Sequence, residues 1–244
     1  MSSRFIQFPL KLASAALVIS VLFAGAATAA QKVPATVRVV TSAGKILVDK
    51  KIRTGTESVR TSKSAECFGP GSSNGSTKIA GPTALGILNQ ASGFVPALRP
   101  LSVTNASEFG LGVCGIGGFV SKPSGFWLLK HNHADSSLGG EATVLEKNDV
   151  TLWYLVDDFN QPTPDELFLQ APNKVRKGKN ARVRVLAHDS KGRRNPVASA
   201  KLSGFGARTD SAGFAHIKIS RKTRIVARFD GKIPSNRVQI GIRK

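Results

Sequence analysis

Cysteine, methionine, tryptophan and tyrosine are scarce in this chain, numbering 2, 1, 2 and 1 among 244 residues. With Cys67 and Cys114 alone, no cysteine-rich metal cluster can be assembled, and no CxxC spacing exists for a redox dithiol. Long apolar runs are missing too. After residue 26 no segment approaches the ~20 apolar residues that a membrane-spanning helix needs. No HExxH helix is present, and GSSNG (71–75) spells GxSxG only within a Ser- and Gly-rich loop rather than at the strand-to-helix elbow that a serine hydrolase requires. Negative charge is scarce, with 15 Asp+Glu against 35 Lys+Arg, for a formal net charge of +20.

What is present begins with the compartment. Arg4 and Lys11 precede an apolar run from Leu12 to Ala26, and Ala27-Thr28-Ala29 offers a small-x-small cleavage signal. Residues 1–30 therefore read as a secretory signal peptide, and the mature chain is expected to be secreted, without a membrane helix. In an oxidising compartment an oxidised Cys67–Cys114 pair is the expectation, and closing that loop would contribute roughly 4 kcal/mol through chain entropy. The rival reading is a metal or redox thiol pair.

Charge divides the remainder. Residues 31–166 carry 13 basic and 12 acidic side chains, whereas residues 167–244 carry 20 basic and only 3 acidic. The turn-rich stretch DDFNQPTPDE, residues 157–166, separates them. The expected organisation is a first domain over 31–158, a linker over 159–166 that solvent reaches, and a basic domain over 167–244.

In the first domain TVRVV (36–40) and KILVDKKI (45–52) flank a short turn and predict a hairpin. Residues 61–77 predict a loop, and PTALGILNQAS (82–92) predicts a helix opened by Pro82-Thr83 and stopped at Gly93. EFGLGVCGIGGF, GFWLLKHN, EATVLE and DVTLWYLVD predict strands, so the domain reads as α+β, one helix on a mixed sheet. The basic domain has no helix signal. ELFLQA, NARVRVLAH, VASAKLSG, GFAHIKIS, TRIVARFD and NRVQIGI, separated by turns, predict an all-β sandwich.

Several short motifs, in order, resemble a known group. Thr83-Ala84-Leu85, Ile116-Gly117-Gly118, Trp127 leading to Asn132, and Asn148-Asp149 before Trp153 are similar to the bacterial extracellular domains related to the transcobalamin C-terminal domain. This is the soluble-ligand-binding β-grasp group. The resemblance spans residues 33–158 and departs twice, with His131-Asn132-His133 in place of Val-Asn-Gly and Asn148-Asp149 in place of Gly-Asp. It implies a β-grasp fold and a ligand or partner site near Trp127, Asn132, Trp153 and Tyr154. PVASAKLSG, RTDSAGFAHIKI and SNRVQIGI resemble a bacterial immunoglobulin-like module of surface proteins, which implies spacing, display or binding rather than catalysis.

Three candidate chemistries compete in the residues. His131, His133 and Asp135 would supply metal ligands if they shared a strand face, the basis of a metal-dependent hydrolase; the rival reading makes HNHAD a turn. Gly110 to Gly115 spells GxGxxG, but the IGGFVSKPSG that follows cannot open the helix that a dinucleotide loop requires. In ARVRV, TRIVARF and NRVQIGIR, Arg182, Arg184, Arg224, Arg228, Arg237 and Arg243 alternate with apolar residues and so are expected on an outer face. That pattern predicts adhesion to an anionic envelope polymer or to lipid headgroups, without sequence-specific reading of nucleic acid. No catalytic residue, metal or cofactor is expected. The competing class is a soluble small-ligand carrier with the basic half as a spacer.

Overall fold

The computed structural model describes residues 32–243, so the signal-peptide expectation for residues 1–30 lies outside the described residues. Strands β1 (Val33–Val40) and β2 (Ile46–Thr54) form the expected hairpin, and β3 (Glu57–Thr61) pairs with β4 (Gly75–Ile79). The predicted 61–77 loop is thus shorter, since its last residues join β4. Helix α1 spans Ala84–Phe94, two residues beyond its predicted end, because Gly93 is accommodated within its last turn. Thr83 caps it by accepting the Gly86 N–H at 3.0 Å on its hydroxyl.

Strands β5 (Leu101–Thr104), β6 (Gly112–Ile116) and β7 (Phe119–Val120) make a small antiparallel sheet. β8 (Phe126–His131), β9 (Ala134–Asp135) and β10 (Val150–Val156) complete a five-stranded sheet in the order β2-β1-β10-β8-β9. The sheet is mixed, because β1 and β10 run parallel. EATVLE forms no strand: the Ala142 and Thr143 N–H groups turn back to the Gly139 carbonyl, and a single bridge joins Val144 to Thr83. A local turn outcompeted the alternating pattern there.

Period-two alternation gives this sheet two different faces. Val37, Val39, Trp127, Leu129, Trp153 and Leu155 pack into a core with Leu85, Ile87 and Leu88 of the helix. The opposite face carries Arg38, Val40, Lys130 and Leu152, all buried. What buries it is the basic half: Val40, Ile46 and Leu152 pack with Ile233, and Tyr154 and Val226 flank them.

That second half is entirely strand and turn among the described residues. It comprises β11 (Glu166–Gln170), β12 (Lys174–Arg176), β13 (Lys179–His188), β14 (Arg194–Pro196), β15 (Lys201–Leu202), β16 (Phe214–Ile219), β17 (Thr223–Ile225), β18 (Ala227–Arg228) and β19 (Val238–Arg243). β13 is central, pairing with β11, β14 and β16, while β12-β19-β17 and β15-β18 form two smaller sheets. Ala181, Val183, Val185, Ile217, Ile225 and Ile240 share its core. VASAKLSG shrinks to β15, with Ser199 held at a positive φ of 58° just before it. TRIVARFD breaks at Val226 into β17 and β18.

Candidate functional site

HNHAD is a turn. Asn132 and His133 sit at φ 49° and 74°, in the left-handed region that a two-residue connection between β8 and β9 demands. The Asn132 amide donates to Asp149 Oδ1 at 2.8 Å while its carbonyl accepts the Val150 N–H at 3.0 Å. The His131 ring meets Asp149 Oδ2 at 2.7 Å. Burial pushes Asp149 up, but the Glu146 N–H, the Asn132 amide and the His131 ring outweigh it and hold its carboxyl below the usual range. Asp135 pairs instead with the buried Lys130 and accepts the Thr163 hydroxyl at 2.9 Å. His131, His133 and Asp135 therefore serve three separate partners, and the metal trio imagined from sequence is dispersed.

His133 points into the basic half. Its Nδ1 lies 3.1 Å from Glu166 Oε2, and Arg38 of β1 holds the other oxygen, Oε1, at 2.5 Å. Arg38 also donates to the Pro234 carbonyl. The His133 ring stacks on His188 with centroids 4.2 Å apart and planes 15° from parallel, and meets Phe168 edge-on at 5.1 Å. Glu166, expected in a solvated linker, is fully buried as the first residue of β11. Burial raises its pKa, yet the His133 hydrogen bond and the Arg38 charge more than offset this and keep the carboxylate ionised. Sequence reasoning missed Arg38, Glu166 and His188. The signal was an arginine in the otherwise apolar alternation of TVRVV.

His133, Glu166 and His188 bring one ligand atom each within 4.8 Å of one another, the donor set of a zinc site. The ring geometry opposes it. Imidazole lone pairs lie in the ring plane, so two rings stacked nearly parallel cannot converge on one ion without one swinging out. Arg38 already neutralises Glu166, and Lys130 and Arg194 add further positive charge nearby. The His188 Nδ1 is buried without a partner among the described residues, while its Nε2 accepts from Arg194 at 3.1 Å. Burial first, and then the neighbouring His133, push His188 down to about 4, so it is neutral at physiological pH.

The four residues expected at a ligand site divide. Trp127 and Trp153 share one face and line a groove of about 220 Å³ with Phe68, Phe109 and Leu138. Phe109 is 85% exposed at its rim, and both indole N–H groups are buried without partners among the described residues. Tyr154 lies on the opposite sheet face against the basic half, and Asn132 is in the β8–β9 turn. GLGVCG runs into strand β6, with no helix after its last glycine.

The six arginines also divide. Arg182 and Arg184 of β13 stand over the Phe214 ring, with guanidinium carbons 3.7 and 4.8 Å from its centroid. Arg224 and Arg243 lie on the other sheet, where Arg243 is paired with Arg176 across the β12–β19 ladder. Arg237 and Arg228 instead reach the first half, donating to the Ile46 and Gly44 carbonyls at 2.8 and 3.0 Å. Cys67 and Cys114 form a disulfide.

No family model matches the chain, and no curated protein matches it. Among solved structures, haptocorrin in complex with Cbi is similar at a TM-score of 0.36 and 10% identity, covering 53% of this chain and 26% of that one. The chain thus spans about a quarter of that protein's length. The resemblance is loose.

Proposed function

We propose that the chain is an exported, non-enzymatic binding protein in which the basic half adheres to an anionic polymer or lipid surface of the cell envelope. In this reading residues 31–158 are a β-grasp-like domain, residues 167–244 an immunoglobulin-like sandwich, and the first presents a ligand or partner site. One observation carries the adhesion. Arg176, Arg182, Arg184, Arg221, Arg224 and Arg243 have no ion-pair partner among the described residues, and all but the half-buried Arg184 are exposed. A net charge so far beyond the ~2–8 usual for small soluble domains repels itself unless counterions or a polyanion lie against it.

The halves share buried groups, so the test uses the whole mature chain. Co-sedimentation with isolated cell envelopes across a salt series is expected to fall steeply with salt. Replacing Arg182, Arg184, Arg224 and Arg243 by Ser is expected to reduce the log–log salt slope by roughly 3–4. Retention unchanged by that variant, or insensitive to salt, rejects adhesion. Arg228 and Arg237 are left intact because they bridge to the first half. A second reading, a small-ligand carrier, draws support from the groove that Trp127 and Trp153 line, with Phe109 exposed at its rim. Quenching of the indole fluorescence by an apolar ligand, unaffected in the arginine variant, favours it.

A further inference from the structure

We propose that Lys201, Arg208 and Arg228 form a binding site for the phosphoryl group of an organic phosphate. The proposal rests on the polyanion reading and names a point of contact within it. Lys201 is directly opposite Arg228 in the β15–β18 ladder, and it is bridged on its other side to Arg208. Side chains facing one another across strands stand about 5 Å apart, and like charges so placed repel. Here three cations stand in a row, all exposed, and none has an ion-pair partner among the described residues.

The two guanidinium groups are held in place at one nitrogen each. Arg208 Nη1 donates to the Ser199 carbonyl at 3.1 Å, and Arg228 Nη1 donates to the Gly44 carbonyl at 3.0 Å. Their remaining N–H groups have no hydrogen-bond partner among the described residues. A planar fork anchored in this way matches the paired oxygens of a phosphoryl group and loses little freedom on binding it.

The surrounding space fits the same chemistry. All three cations line a cleft of about 140 Å³ together with Ser199, Phe229 and Asp230, so three positive charges face a single carboxylate. The same three also line an adjoining cleft of about 380 Å³, walled by Phe205 and Gly206. The smaller cleft takes the phosphoryl oxygens. The larger receives the organic moiety, a polyol or sugar laid against Phe205. Sequence alternation pointed to Arg228 alone, because Arg208 and Lys201 join it only through strand pairing.

The test titrates the mature chain calorimetrically with glycerol phosphate, at an ionic strength fixed with chloride. Saturable binding is expected. The pair Lys201→Gln and Arg208→Gln, whose residues are exposed, is expected to weaken it by about tenfold or more. The control pair Arg60→Gln and Lys63→Gln removes the same charge from exposed positions of the first half and is expected to change affinity by less than about twofold. Absence of saturable binding, or equal weakening by both pairs, overturns the proposal. If Lys201→Gln with Arg208→Gln leaves glycerol phosphate binding intact while the four-arginine variant still loses envelope retention, the cleft is refuted and adhesion stands. If that pair abolishes glycerol phosphate binding while envelope retention persists, the cleft is supported as a site apart from bulk adhesion. Unchanged thermal melts of both pairs exclude unfolding as the cause.

Discussion

Acidification should loosen this molecule at one place first, the stacked His133–His188 pair. His188 is 1% exposed and its pKa is pushed from the ordinary 6.5 to about 4, through burial and then the proximity of His133. A histidine with a lowered folded pKa favours the neutral state. Below pH 6.5 the unfolded chain takes up a proton that the folded chain refuses, so stability falls with pH until about 4 and then levels. At roughly 1.4 kcal/mol per pH unit, the full loss attributable to His188 is on the order of 3 kcal/mol. Of the charged groups around it, His133, Arg194 and Lys130 reinforce the refusal, while the Glu166 carboxylate opposes it. Carboxyls held low, including Glu166, Asp149 and Asp189, act further down, as pH falls below about 4.5. Urea unfolding between pH 7 and 4.5 measures the effect. The variant His188→Phe keeps a ring over His133 but cannot titrate, and it is expected to flatten the decline over that range. A wild-type chain equally stable at pH 7 and 4.5, or an equally steep decline in the variant, refutes the reasoning.

Two further outcomes concern the junction and the disulfide. Arg38→Met leaves Glu166 buried without its cation and is expected to cost about 3–5 kcal/mol in urea unfolding, whereas Arg38→Met with Glu166→Leu is expected to recover much of that loss. Replacing both Cys67 and Cys114 by Ala opens a loop of sequence separation 47, and chain entropy sets the expected loss at about 4 kcal/mol, read as a lower melting temperature.

Much of the local structure was legible in the residues. Val183 and Val185 alternating with Arg182 and Arg184 announced a strand with one buried face, because side-chain direction along a strand has a fixed period of two. Thr83 before an apolar run announced the helix start, because an orphan N–H needs an oxygen there. EATVLE misled for the converse reason: an alternating pattern records which residues prefer burial, not whether a ladder partner is within reach.

By itself, then, the sequence determined the oxidisable cysteine pair, the division of charge between the halves, the helix, and the longer strands such as β1, β2, β8, β10 and β13, whereas the short strands β3, β4, β5, β9, β12 and β14 were not legible in it. Only the tertiary structure decided which residues meet. Arg38 and Glu166 are 128 positions apart, and no local rule predicts that the far face of the first sheet is closed by the second half rather than by water. The same holds for Lys201, Arg208 and Arg228, which look like ordinary surface charges until strand pairing sets them side by side. Contacts between distant segments follow from how sheets close over apolar faces, and that choice is made by the whole chain at once.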